Sequence, residues 1–411
     1  MQSPNNDTFC VAPWFQVRNQ NDMQKRVCCA ISTYGGTDSE NSSPIDFLNS
    51  DKNIELKKKL HNGIKVQECS KCWRNEKNNI TSLRQRLNGI LLHNKSHVKN
   101  SWLQSYFNRK ENFTSDNLLM ADVKVGNTCN HACVMCSPDD SSMVYNEWMK
   151  NKNVFFIKDK LKDDPEFLKK VALTGYKNQS YRKYIDDICK NKNLKFIKIL
   201  GGEPLLDRYL LTKLKDLPNK QKNIMSLHIV TNGSVNLLDT KEYLGDFKNI
   251  KFNISLEGVG DVQEYARYHS KWAQLEKNIL DFKQSQYSDI SIHHTLQTTT
   301  VLGLSDLLQW INSNDLSISF GMCLNPKYLS FMSLPGKVRY LIQKIFTNDV
   351  PVKQNDIGDE EPVTTENILN YIDEMKFNND EYQKFLKYIK WYEKNKSIKP
   401  LKDIFPILFD N

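Results

Sequence analysis

Glycine and proline are scarce, 16 and 13 of 411 residues, and 26% of the chain is charged, a balance that excludes an extensively disordered protein. No uninterrupted apolar run approaches the length that crosses a bilayer. The start, Met1-Gln2-Ser3-Pro4-Asn5-Asn6-Asp7, lacks the basic stretch followed by an apolar one that marks a secretory signal. The expectation is a soluble, cytoplasmic protein with no membrane partner. Walker loops, nucleophile elbows and dinucleotide fingerprints are absent, as are internal repeats and low-complexity tracts. At 39% apolar content the length supports a full core and more than one folded unit.

Lys plus Arg number 57 against 48 Asp plus Glu, a net charge of +9. Most of that excess lies in lysines on polar helix faces such as Lys57-Lys58-Lys59, and no basic-aromatic module accompanies it, so a nucleic-acid partner is not expected. The ten cysteines are not spaced as in a disulfide framework. Eight fall in two clusters, as metal ligands do in a reducing compartment. Cys189 and Cys323 stand alone in apolar contexts and read as buried small residues.

The later cluster is Cys129-Asn130-His131-Ala132-Cys133-Val134-Met135-Cys136. Three thiolates at this spacing, with no fourth nearby, can hold three irons of a four-iron, four-sulfur cluster and leave one iron open; a zinc site is the alternative. The run Leu118 to Val125 is apolar and β-prone and Gly126-Asn127-Thr128 ends it, which places the thiols on a loop leaving a strand. The C-x3-C-x2-C spacing, with Met135 before the third cysteine, resembles the radical S-adenosylmethionine (radical SAM) superfamily.

The earlier set is Cys10, the pair Cys28-Cys29, and Cys69-Ser70-Lys71-Cys72. The C-x2-C turn lets two thiolates face one metal, and Cys10 with one of the pair completes four ligands. One of Cys28 and Cys29 is spare; Cys28 is preferred as the ligand. Between them, Asp51 to His61 has helical spacing, with Asn49 or Ser50 as cap and Asn62-Gly63 as stop. With Pro13-Trp14 and Trp73-Arg74-Asn75-Glu76, this ensemble resembles the twitch domain, the shorter relative of the SPASM domain. That resemblance implies an auxiliary four-iron cluster held by Cys10, Cys28, Cys69 and Cys72, although the family's usual placement is C-terminal. A structural zinc site is the alternative, since four thiolates suit zinc equally.

Strand candidates are Leu119 to Val125, Leu194 to Leu200, Ser226 to Thr231, Lys251 to Leu256, Asp289 to Thr295 and Ser317 to Met322. Helical candidates lie between them at Tyr181 to Cys189, Leu205 to Leu214, Trp272 to Lys283 and Leu304 to Asn312. Such alternation argues an α/β fold with a parallel sheet, and the resemblance implies a partial (β/α)6 TIM-like barrel. The expected organisation is a twitch-like unit over 1–95, a connector over 96–117, a radical SAM core over 118–334, and a helical C-terminal extension over 335–411. That extension comprises Val338 to Phe346, Thr365 to Met375 and Glu381 to Lys394, with an acidic linker from Asn355 to Glu361; it is assigned to packing. The insertion 137–193 is expected to shape substrate access.

Gly201-Gly202-Glu203-Pro204 follows a strand and opens a helix. Two glycines admit a close approach to the backbone, Glu203 offers a carboxylate to a cation, and Pro204 suits a first turn. Thr231-Asn232-Gly233-Ser234 and Ser255-Leu256-Glu257-Gly258 end two further strands, on the rim where barrel enzymes place their sites. The resemblance implies that Gly201, Gly202, Glu203 and Pro204 meet the amino group of S-adenosylmethionine and that Asn232 belongs to the same cofactor site. It also implies that Ser255 contacts the ribose or carboxylate and that Arg267 pairs with the carboxylate. The family more often has Asp where Glu257 stands. His131 and the pair His293-His294 invite a metal or base reading, but the pair sits in an alternating strand and reads as packed or surface residues rather than ligands.

The function these parts imply is reductive cleavage of S-adenosylmethionine to a 5′-deoxyadenosyl radical, which abstracts hydrogen from a peptide or small-molecule substrate. No catalytic base is assigned. An electron donor such as a flavodoxin or ferredoxin is implied as partner. The rival from another class is a non-catalytic iron-sulfur or zinc protein, which accounts for the cysteines but not for the motifs that follow them.

Overall fold

Short apolar stretches bounded by polar turns become strands where side-chain alternation demands it. The strands of the computed structural model are β1 (Gln16–Asn19), β2 (Lys25–Arg26), β3 (Met120–Lys124), β4 (Ala132–Cys133), β5 (Phe196–Leu200), β6 (Ser226–Thr231), β7 (Asn249–Ser255), β8 (Arg267–Tyr268), β9 (Ile290–Leu296) and β10 (Ser317–Met322). The structure describes residues 7–32, 42–77, 81–92, 113–172, 178–285, 289–347, 365–394 and 396–409. Residues 96–112 of the expected connector and the linker Asn355 to Glu361 lie outside them.

The fold is α/β with mostly parallel strands. From β3 onward each long strand is followed by a helix, the repeating order of a partial (β/α)6 barrel. Two compact units divide the chain. One gathers Met1–Thr128, Trp148–Val230 and Thr240–Lys251, the other Cys129–Glu147, Thr231–Asp239 and Phe252–Asn411.

In the first unit the strands run β2-β1-β3-β5-β6. Strands β1, β3, β5 and β6 are parallel, and β2 is antiparallel on β1. Helix Gln179–Cys189 buries Tyr181, Tyr184, Ile185 and Ile188, the three- and four-residue spacing of one helical face, and Asn178 caps it by accepting from Ser180 N–H. The expected helix Leu205 to Leu214 is split into a 3-10 turn, Pro204–Leu206, and helix Arg208–Lys215. The break falls at Asp207, whose carboxylate accepts from Leu210 N–H and from the buried Tyr181 hydroxyl. The insertion 137–193 is largely helical, with Ser142–Lys150, Phe155–Asp163 and Phe167–Ala172 preceding Gln179–Cys189.

In the second unit β7, β9 and β10 are parallel and β4 pairs antiparallel with β8. Ile254, Ile292 and Leu296 are fully buried with Ile279, Leu307 and Ile311 of the helices that follow β7 and β9. Each such side chain contributes roughly 1.5–3 kcal/mol on burial. Helix Asn379–Glu393, which takes Asn378 as its cap, buries Tyr382, Phe385, Tyr388, Ile389 and Tyr392. No described helix is long and apolar enough to cross a membrane.

Candidate functional site

The loop Cys129 to Cys136 belongs to the second unit and is pinned along its length. Cys133 stands opposite Arg267 in the β4–β8 pair, and Val134 N–H donates to Ala266 O at 2.8 Å. A turn brings Cys136 N–H to Cys133 O at 3.1 Å. Ser141 Oγ donates to His131 O at 2.6 Å, and Cys129 N–H donates to Ser142 Oγ. From the C-terminal helix, the Tyr388 hydroxyl donates to Val134 O at 2.6 Å and the Tyr392 hydroxyl reaches Ala132 O at 3.0 Å. Cys133 is buried, whereas Cys129 and Cys136 are partly open.

Arg267 couples this loop to the end of β7. One arm of its guanidinium lies 2.7 Å from Glu257 Oε1, and the other reaches Cys133 Sγ at 3.8 Å. Glu257 is fully buried; its second oxygen accepts from Thr295 N–H at 3.0 Å, and its own N–H donates to Gln263 Oε1. A hydrogen bond from Cys136 and the charge of Arg267 hold the Cys133 thiol well below its ordinary range, while the same bond holds the proton on Cys136. Burial opposes the charge on Arg267, but the anions of Cys133 and Glu257 outweigh it. This is the charge pattern of a thiolate held against a cation.

Asn232 and Ser255 stand in the same unit. Asn232 Nδ2 donates to Asn130 Oδ1 at 2.9 Å and lies 3.8 Å from Cys129 Sγ, which ties the residue after β6 to the cysteine loop. The adjoining Gly233 has φ +72, and a β-carbon there would meet Leu275 and Ile254. Ser255 ends β7, buried and in register with His293. His294 is buried with Nδ1 on Leu256 O, and burial lowers its pKa. His293 Nδ1 lies 3.1 Å from Ser319 Oγ. Both behave as packed residues.

Gly201-Gly202-Glu203-Pro204 lies in the first unit. Gly202 N–H donates to Gly126 O and Glu203 N–H to Thr128 O, both at 2.8 Å. Gly201 adopts φ +131, and a β-carbon on it would stand 2.9 Å from Gly126 O. The backbone these glycines admit is the chain's own, the segment that precedes Cys129 in sequence. Buried Glu203 accepts from Leu205 N–H at 3.0 Å as the cap of the turn that Pro204 opens.

Residues 123–306 match the family model of the Radical SAM superfamily. This segment is a radical SAM domain. No curated protein matches the sequence. Among solved structures, native anSMEcpe with bound AdoMet is 17% identical, covering 56% of this chain and 60% of its own, with a TM-score of 0.37. Streptococcus suis SuiB bound to S-adenosylmethionine is 14% identical over 58% of this chain and 50% of its own, with a TM-score of 0.34. TYW1 with a lysine-pyruvate adduct bound is 18% identical over 59% of this chain and 75% of its own, with a TM-score of 0.31. The chain thus spans about 60% of the length of the first of these.

Ahead of the radical SAM domain, Cys10, Cys28, Cys69 and Cys72 line one cavity in the first unit, walled by Leu56, Leu60, Leu83, Leu87 and Trp73. Cys29 is exposed and is not among its lining residues. Cys69 ends a 3-10 turn and Cys72 lies on helix Ser70–Lys77, so their spacing is one helical turn rather than a loop. Burial and mutual repulsion push the thiols of Cys10, Cys28 and Cys69 upward, and burial does the same at Cys72. Arg84 is the cation on the wall, fixed by Glu76 and by Phe9 O. Among the described residues no three Cys, His, Asp or Glu gather as around a single ion; these four thiols ring a cavity instead. Once deprotonated, four thiolates in this apolar cavity would need a cationic centre to be stable, donor chemistry that suits a zinc ion and a cluster alike.

Sequence reasoning missed Glu257 as the partner of Arg267, because its carboxylate is enclosed by contacts far away in sequence, Thr295 N–H among them. It also missed Tyr388 and Tyr392, whose i, i+4 spacing looks like ordinary core.

Proposed function

We propose that the chain is a radical SAM enzyme. The observation that carries this reading is the largely enclosed Arg267 guanidinium bridging Cys133 and the buried Glu257, together with the family match over 123–306. Cys129, Cys133 and Cys136 would hold three irons of a four-iron cluster. Gly201, Gly202, Glu203, Pro204, Asn232, Ser255 and Arg267 would bind S-adenosylmethionine. When bound, the reduced cluster and this cofactor supply a 5′-deoxyadenosyl radical. The protein's own part is to fix the thiolates through backbone bonds, to neutralise Cys133 with Arg267, and to keep water from that pair by burial.

Cys10, Cys28, Cys69 and Cys72 would hold an auxiliary four-iron cluster in a twitch-like unit. A peptide or small-molecule substrate, a flavodoxin or ferredoxin as electron donor, and a cytoplasmic location complete the proposal. The insertion over 137–193 would shape substrate access.

Anaerobic reconstitution tests it. Reduced protein should cleave S-adenosylmethionine to methionine and 5′-deoxyadenosine, and Cys133→Ala protein should not. The paramagnetic resonance spectrum of the cluster should shift when the cofactor is added. A full, reducible cluster with neither the shift nor 5′-deoxyadenosine would leave an electron carrier as the correct description.

A further inference from the structure

Strands β9 and β10 end together. Their parallel ladder runs from Ser291 opposite Ser317 to Leu296 opposite Met322, and Cys323 N–H extends it by donating to Leu296 O at 3.0 Å. One step past the paired residues, Cys323 stands opposite Gln297. Strand alternation puts Cys323 on the face of Gly321 and Ser319. That face is fixed by contact, since Ser319 Oγ meets His293 Nδ1 and a β-carbon on Gly321 would come 3.0 Å from His293 Nε2. His293 in turn pairs with Ser255 on β7. Cys323, Gln297 and Ser255 therefore belong to one polar face at the carboxyl ends of three adjacent strands. Glu257, two residues after Ser255, accepts from Thr295 N–H.

Two observations mark this place as built for a ligand. Gln297 is fully buried, and among the described residues neither its amide nitrogen nor its amide oxygen has a hydrogen-bond partner. A buried amide with both ends unpaired is costly, and native proteins keep such groups where something else satisfies them. Its edge offers one donor and one acceptor, the complement of a neutral amide-like ligand. Cys323, 6% exposed, is the one cysteine at these strand ends. Burial and the nearby Glu257 push its thiol to about 12, so it carries its hydrogen at neutral pH instead of acting as a thiolate.

We propose that Cys323 is a hydrogen-atom donor to a carbon-centred radical of a ligand held at this face, which in the absence of substrate is the 5′-deoxyadenosyl radical derived from S-adenosylmethionine. The inference rests on the radical SAM reading above and deepens it. In the step, the S–H bond breaks homolytically, a C–H bond forms on the ligand, and the sulfur is left as a thiyl radical. One electron from a low-potential one-electron donor and one proton from solvent restore the thiol. An S–H bond is weaker than a typical C–H bond, which sets the direction of transfer. The hydrogen gained by the ligand is thus exchangeable with solvent.

The experiment uses the reconstituted full chain, reduced with dithionite and supplied with S-adenosylmethionine in deuterium oxide without added substrate. The deuterium content of the 5′-deoxyadenosine is read by mass spectrometry. Wild-type protein should give product carrying one deuterium, and Cys323→Ser and Cys323→Ala should each lower that fraction about fivefold or more. Iron content and the cluster's resonance spectrum should match wild type in both variants. A nitrone spin trap should mark Cys323 in the wild-type peptide map after turnover. Equal deuterium content in all three proteins overturns the donor and leaves the radical SAM reading standing. Absence of 5′-deoxyadenosine from every protein, wild type included, overturns both.

Discussion

The Arg267 guanidinium lies 2.7 Å from the Glu257 carboxylate, with side-chain exposures of 12% and 0%. Buried pairs of this kind are expensive to break, because the surviving charge has no solvent to turn to. Arg267→Ala should therefore lower the free energy of urea unfolding by about 3–5 kcal/mol. Adding Glu257→Gln to that variant should recover part of the loss by removing the stranded charge. A single variant within about 1 kcal/mol of wild type would mean that the pair is no more than a surface contact.

The hydroxyls of Tyr388 and Tyr392 hold the carbonyls of Val134 and Ala132. Tyr388→Phe keeps the ring and leaves Val134 O without its donor, at about 1–3 kcal/mol. The reconstituted variant should lose iron to a chelator faster than wild type, and Tyr388→Phe/Tyr392→Phe faster still. Equal release rates would show that these hydroxyls do not stabilise the loop.

Cys28 lines the four-thiol cavity and Cys29 does not. Reconstituted Cys29→Ser protein should keep about eight irons per chain and Cys28→Ser about four, as expected for two four-iron clusters of which one is lost. The reverse pattern would exchange the two roles.

Lys57 donates to Leu48 O, Phe113 O and Ser115 Oγ from a buried position, and burial lowers its pKa from 10.5 to about 7. Between those values the unfolded chain binds a proton that the folded chain lacks, so stability rises with pH. The penalty is full below the folded value and is relieved as pH climbs toward the unfolded one. The slope should approach about 1.4 kcal/mol per pH unit. Lys57→Met should flatten the unfolding free energy across that window relative to wild type. Parallel curves for the two proteins would show that Lys57 keeps an ordinary pKa.

The sequence carried the frame where apolar periodicity was strong. Ser226–Thr231, Ser317–Met322 and Trp272–Lys283 form at the bounds their side chains mark. Strand β1 was illegible: Gln16-Val17-Arg18-Asn19 is short and polar, and only its pairing with β3 makes it a strand. The helical geometry of Cys69 and Cys72 was hidden because a C-x2-C spacing fits a tight turn and a helix equally well. The residues proposed to bind the cofactor carry recognisable motifs, but what holds those motifs in place was not legible. Glu257, Tyr388 and Tyr392 act through enclosure, which no local pattern encodes.

The two tyrosines that fasten the cysteine loop lie 254 and 260 positions after the carbonyls they hold. Synthesis runs from the N-terminus, so Cys129, Cys133 and Cys136 emerge from the ribosome long before the residues that fix their backbone. Contacts of such sequence separation form late in folding. The loop thus stays open to scavenged metals and oxidants until Tyr392 has been made, and iron delivered earlier would meet three thiols on an untethered segment. On the proposed reading, cluster insertion would therefore follow completion of the chain.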